Sequence, residues 1–196
     1  MRIASICLLA AAVLVGCASP PPPPSLHSLA TEAPQAPTAA ASERPNYQAV
    51  IAQVGVPESV DRPQLIVQRG GSIELVDSER WAEPLKRAIP RLLAADLMQR
   101  LDGVTVWSMP GTGPAQPDAR ISVEINRFES LLGKASAIEA LWLIRAGGVE
   151  RSGRTVAQTP ASSNGYDALV EAHRAGLLQV SRDIAQALRP LVTAAR

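Results

Sequence analysis

Between residues 48 and 56 apolar side chains recur at every second position. Val50, Ala52, Val54 and Val56 mark one face, and Ala49 and Ile51 are apolar as well. Such a run predicts a strand buried on at least one face. Pro57-Glu58-Ser59 closes it. Two short apolar runs, Leu65-Ile66-Val67 and Ile73-Glu74-Leu75-Val76, flank Gly70-Gly71 and read as a hairpin. The period then changes. Leu85, Ile89, Leu92, Leu93, Leu97 and Leu101 form one stripe, with Lys86, Arg87, Arg91 and Arg100 mostly off it. This spacing predicts an amphipathic helix within residues 81–101, with Asp77-Ser78 as capping residues and Pro84 in its first turn. Pro90 is expected to kink that helix or delay its regular start.

The second half repeats the order of strands before helix. Val104-Thr105-Val106 is a strand, residues 111–117 (GTGPAQP) a loop, and residues 120–126 alternate cleanly through Ile121, Val123 and Ile125. After a turn near Gly133-Lys134, residues 137–145 (AIEALWLIR) read as a strand apolar on both faces, ended by Gly147-Gly148. Residues 154–157 are placed to return antiparallel to it. Ser163-Asn164 then precede a long helix over residues 166–188, whose stripe is Leu169, Val170, His173, Leu177, Val180, Ile184 and Leu188. The halves share this character without a residue-level repeat. The expected fold is α+β: an antiparallel or mixed sheet with two long helices packed on it.

The N-terminus follows a different pattern. Arg2 precedes an apolar segment from Ile3 to Val15, which has the length of a signal h-region and falls short of the roughly 20 residues a spanning helix needs. It ends in Leu14-Val15-Gly16-Cys17, which resembles the bacterial lipobox. On that reading residues 1–16 are removed, the Cys17 sulfur takes a diacylglyceryl group, and its freed amine takes a further acyl chain. Several chains on one residue hold a protein stably at a membrane, where one chain holds it marginally. Ala18-Ser19 lacks the Asp that retains enteric lipoproteins in the inner membrane, which points to the outer membrane. Residues 17–46 form a tether. Pro20 to Pro24 favour extended polyproline II, at about 3.1 Å per residue. A second Ala- and Pro-rich stretch covers residues 30–45, and a short candidate strand lies at residues 25–29 between the two. One domain over residues 47–190 completes the chain.

Composition narrows the chemistry. Cys7 and Cys17 are the two cysteines, and Cys7 lies in the removed segment, so the mature chain has no partner for a disulfide. The formal charge of +1 falls to 0 when Arg2 is lost, and only 3% of residues are aromatic. That balance speaks against a nucleic-acid surface. Neither a metal site nor a cofactor is expected. Catalysis has little to work with: His27 and His173 are the only histidines, and His173 lies on a helix stripe. No nucleophile elbow, His-Glu-x-x-His or phosphate-cradling glycine loop occurs.

Three stretches carry a family resemblance. Val56-Pro57-Glu58-Ser59-Val60-Asp61-Arg62-Pro63-Gln64-Leu65 is similar to a segment of the PqiC-type auxiliary lipoproteins of ABC-type and MCE transport systems. Arg80-Trp81-Ala82-Glu83-Pro84-Leu85 and its continuation over residues 92–101 resemble their next motif, and residues 166–185 their closing helix. Departures are His27-Ser28-Leu29 where the family has Tyr-x-Leu, the proline-rich stretch after it, and Pro90. The resemblance implies an outer-membrane lipoprotein that faces the periplasm and works with an MCE protein of the inner membrane. Its role would be docking and tethering in lipid transport between membranes, supporting outer-membrane integrity, with several copies as one arrangement. It implies no enzyme activity.

Candidate partner contacts are Arg62, Trp81 and Trp142. Each has a structural alternative: Arg62 pairing with Asp61, Glu58 or Glu83, Trp81 as a core anchor beneath a helix start, and Trp142 as core rather than interface. A monomeric lipid carrier and a lipid-anchored hydrolase stand as alternative functions.

Overall fold

The computed structural model describes residues 22–30 and 47–195. The signal segment, Cys17 and most of the tether lie outside the described residues. Among the described residues eight strands form one mixed sheet: β1 (Ser25–His27), β2 (Tyr47–Gly55), β3 (Gln64–Arg69), β4 (Ser72–Trp81), β5 (Val104–Ser108), β6 (Ala119–Leu131), β7 (Ala135–Ala146) and β8 (Val149–Pro160). Two helices among the same residues, α1 (Leu85–Arg100) and α2 (Tyr166–Ala194), give the α+β architecture expected from the sequence pattern.

The sheet is organised by β6, whose two edges are used differently. One edge pairs antiparallel with β7 along its whole length, from Ala119 opposite Ala146 to Leu131 opposite Ala135. The other edge is shared. Its first half pairs parallel with β2, from Ala49 opposite Ala119 to Gly55 opposite Glu124. Its last residue, Leu131, meets Gln68 of β3. A bulge between Ile125 and Arg127 separates the two halves, so the strand bends where it changes neighbours. Beyond β2 lies β5, parallel, and beyond β3 lies β4, antiparallel. β8 pairs with β7 in unbroken register.

The hairpin expected at Gly70-Gly71 forms there. Both glycines have positive φ (59° and 90°), the conformation that a two-residue hairpin turn of this hand requires. The next element departs from expectation. Asp77 and Ser78 do not cap a helix, because β4 continues through them to Trp81. A register shift after Val76 loops residues 77–79 away from β3, and Glu79, Arg80 and Trp81 then pair with Ser25, Leu26 and His27 of β1. The strand therefore persists because a distant segment supplies its partner.

α1 starts at Leu85 with Pro84 as its N-cap residue and runs unbroken to Arg100. Pro90 is a buried residue inside it, so the proline costs one helical hydrogen bond without ending the helix. α2 starts after Gly165 with no side-chain cap, in place of the cap expected from Ser163-Asn164. Ser163 Oγ accepts from the Gly165 N–H instead, at 3.3 Å. α2 also continues past Leu188 to Ala194. Every residue of both predicted apolar stripes is buried.

The core lies between the helices and one face of the sheet. Ala49 and Ile51 of β2, Ile121, Val123, Ile125 and Phe128 of β6, and Ile138, Ala140 and Ile144 of β7 meet Leu177, Val180, Ile184 and Leu188 of α2. On the opposite face Leu141 and Val156 are exposed. No helix among the described residues is long and apolar enough to cross a membrane.

Leu177 has no exposed surface at the centre of this contact. Leu177→Ala removes its side chain from a packed site and is expected to lower unfolding free energy by about 2–5 kcal/mol. Urea denaturation followed by far-ultraviolet circular dichroism measures that loss.

Candidate functional site

Two of the residues singled out from sequence, Arg62 and Trp81, meet at one groove. The loop that carries Arg62 is folded on itself. The Val60 and Asp61 N–H groups both donate to the Pro57 carbonyl, at 3.0 and 3.2 Å, and the Arg62 N–H donates to the Val60 carbonyl at 2.9 Å. Trp81 ends β4 and is tied to this loop by its N–H, which donates to the Pro63 carbonyl at 2.7 Å. The next residue, Ala82, donates to the His27 carbonyl of β1 at 2.8 Å. The loop, β4 and the start of α1 thereby enclose a groove of about 420 Å³, lined by Asp61, Arg62, Pro63, Trp81, Ala82, Glu83 and Pro84.

The charges around the groove are sorted. Lys86, on the first turn of α1, places Nζ 2.6 Å from Asp61 Oδ2. This contact, first as a hydrogen bond and then as a charge pair, holds the Lys86 pKa above its usual value. Glu83 is paired with Arg91. Arg62 is exposed and makes no ion pair among the described residues. The pairing of Arg62 with Asp61, Glu58 or Glu83 offered by the sequence is thus replaced: Lys86 and Arg91 take Asp61 and Glu83. That outcome depends on helix phase, because α1 begins at Leu85 and turns Lys86 and Arg91 back toward the loop.

Trp81 itself is a core anchor, with 7% of its surface exposed. Its ring meets Phe128 edge-on at 6.2 Å and His173 edge-on at 6.3 Å, while Phe128 and His173 stack 4.1 Å apart and nearly parallel. Geometry of this kind adds about 0.5–1.5 kcal/mol per aromatic pair beyond area burial. His173 Nε2 hydrogen-bonds Ser130 Oγ at 2.7 Å, and its Nδ1 has no partner. Burial without a countercharge pushes its pKa down from 6.5 to about 3. The imidazole is therefore neutral near pH 7 and acts as a polar wedge in the core.

Comparison with known proteins identifies the family. Residues 27–185 match the model of a family described as the ABC-type transport auxiliary lipoprotein component. The chain belongs to that family. A comparison with curated proteins gave no match. Among solved structures, a crystal structure of an uncharacterized protein is similar with a TM-score of 0.69 at 21% identity, covering 85% of this chain and 99% of its own. Protein XCC0632 from Xanthomonas campestris, of the DUF330 family, is similar with a TM-score of 0.59 at 17% identity, covering 76% of this chain and 87% of its own. A PelC dodecamer from Paraburkholderia phytofirmans aligns at a TM-score of 0.41 and 14% identity, covering 74% of this chain and 87% of its own.

In this auxiliary lipoprotein Trp142 sits apart from the groove. It lies half-buried on β7, packed against the core, with its ring over Gly153 of β8. A Cβ at position 153 would fall 2.1 Å from Trp142 Cζ2, so only glycine leaves room for the indole. Its Nε1–H donates to Thr155 Oγ1 at 3.2 Å, and Thr155 in turn donates to Asp183 of α2 at 2.6 Å. Trp142 also borders a separate concavity of about 570 Å³ on the sheet, together with Gln53, Glu124, Leu141, Leu143 and Arg154.

Sequence reasoning missed Lys86 and Arg91 as partners of the groove acids, and it missed the role of His27. The ring of His27 lies between Glu79 Oε2 at 2.6 Å and Asp167 Oδ1 at 3.1 Å, joining β1 to β4 and to the first turn of α2. A histidine at the end of a short strand next to a tether gives no local signal of such a bridge.

Two outcomes follow from these environments. The His173 pKa is lower in the folded chain than in the unfolded one, so its contribution to stability is present above about pH 6.5 and is lost as pH falls toward about 3. Between about pH 7 and about pH 5 the native protein should lose about 2 kcal/mol more than His173→Gln does, measured by urea unfolding at each pH. Gly153→Ala should displace the Trp142 ring and cost about 1–3 kcal/mol, with a change in Trp fluorescence as the direct readout.

Proposed function

We propose that this auxiliary lipoprotein is a non-catalytic docking component of an MCE/ABC-type intermembrane lipid transport system. It is acylated at Cys17, held at the outer membrane facing the periplasm, and supports outer-membrane integrity. The groove of Arg62 and Trp81 is its contact surface for an MCE-domain protein of the inner membrane, with Trp142 a second contact region. Assembly into several copies is compatible with this role.

The observation that carries the reading is the groove itself, in a chain whose family serves ABC-type transport. An exposed guanidinium beside a buried indole on a braced loop is the composition that dominates binding energy at protein interfaces. The carrier reading asks for an enclosed apolar cavity sized for an acyl chain, whereas helices and sheet here meet in a packed core.

Crosslinking in intact cells, followed by detergent purification of the lipoprotein, tests the proposal. Recovery of an MCE-domain protein is expected, with at least a tenfold drop in Arg62→Glu at unchanged circular dichroism. Cys17→Ser should shift the protein from the membrane fraction to the soluble one. A monomer that copurifies with phospholipid at a fixed ratio and without an MCE protein would overturn docking in favour of the carrier.

A further inference from the structure

The chemistry around the groove specifies what enters it. Its two acids are already neutralised, Asp61 by Lys86 and Glu83 by Arg91, and the remaining charge on the lining is the Arg62 guanidinium. Three apolar residues stand beside it: Pro63, Pro84 and Trp81, the last of which keeps 7% of its surface exposed. Both walls are fixed by backbone hydrogen bonds, from Trp81 to Pro63 and from Ala88 to Pro84 at 3.0 Å. A cation on a rigid rim next to a narrow apolar slot matches a carboxylate next to an apolar side chain.

We infer that the groove recognises an extended partner segment in which an Asp or Glu side chain neighbours an apolar residue, with the carboxylate on Arg62 and the apolar group against Trp81. This deepens the docking proposal and rests on it. A guanidinium offers a planar pair of donors to a carboxylate, which a lysine ammonium cannot reproduce. Desolvation against the indole and the two prolines makes the pair worth more than it is in open water.

An anionic bilayer is the competing occupant, and the surroundings disfavour it. Membrane surfaces are bound by clusters of basic residues, each adding about 1 kcal/mol. Arg62 is a single cation, and Glu58, Asp61 and Glu83 lie on the same loop and helix start. A lone guanidinium falls short of the basic cluster that a membrane surface calls for.

The experiment uses the full lipidated chain in neutral detergent micelles, labelled with nitrogen-15, and two peptides, acetyl-Leu-Glu-Leu-amide and acetyl-Leu-Gln-Leu-amide. The acidic peptide should shift the Trp81 indole N–H and the Arg62 Nε–H resonances together and saturate in the millimolar range. The neutral peptide should bind at least tenfold more weakly. Arg62→Glu should abolish the response to the acidic peptide, and Arg62→Lys should retain an intermediate affinity, since a lysine keeps the charge without the fork. Equal shifts with both peptides would overturn the inference, as would a response that survives in Arg62→Glu, or none at about 20 mM. Arg62-dependent binding to bicelles containing phosphatidylglycerol, with no response to the acidic peptide, would also overturn it. In each of those cases a recovery of the MCE protein from cells that still falls in Arg62→Glu would leave docking itself standing.

Discussion

Much of this structure depends on keeping one neutral imidazole dry. His173 projects from α2 into the sheet, stacks on Phe128, touches the edge of Trp81 and uses Ser130 for its one hydrogen bond. A polar group buried this way is costly unless its surroundings are fixed. The three rings and the hydroxyl come from α2, β4 and β6, so their contacts position α2 on the sheet. They also position Trp81, which forms the floor of the groove. The same side chain contacts therefore serve the core below and the candidate interface above.

The sheet places that floor next to the charged loop through an uneven use of edges. β6 bends at its bulge and hands its free edge from β2 to β3. The loop between β2 and β3 must cross this junction, and it is the loop that carries Arg62. β4 then leaves β3 after Val76 and ends against β1. Because β1 continues directly into the tether, the segment that leads to the lipidation site expected at Cys17 is hydrogen-bonded beside the groove through the contact from Ala82 to His27. Tether, groove and aromatic core share a few residues of β4.

What was legible in the sequence was whatever a local pattern encodes. The stripe of α2 was read residue by residue, with His173 on it, and the Gly70-Gly71 turn fell where its dipeptide stands. The fold class followed from the order of periods. What was not legible depended on partners far away in the chain. Residues 77–81 carry Asp, Ser and Glu and look like a helix start, and the last three, Glu79, Arg80 and Trp81, are held as strand by pairing with β1. β8 was seen only at residues 154–157, because Arg151, Ser152 and Gly153 lack strand composition and are held by the unbroken ladder to β7. At the groove, Arg62 and Trp81 were both named from sequence. Which cation neutralises Asp61 was decided by the phase of α1, which a residue pattern with an uncertain start cannot give. Arg62 is left available for that reason.

Photocrosslinking from two faces of the same protein in living cells tests the central claim most directly. A benzophenone side chain replaces Ala82 at the groove in one strain and Val156 on the open sheet face in another. Both positions are exposed. The account predicts that light captures a transporter protein from position 82, whether or not position 156 captures it as well. Capture from position 156 alone, or from neither position in cells that contain the transporter, would contradict it.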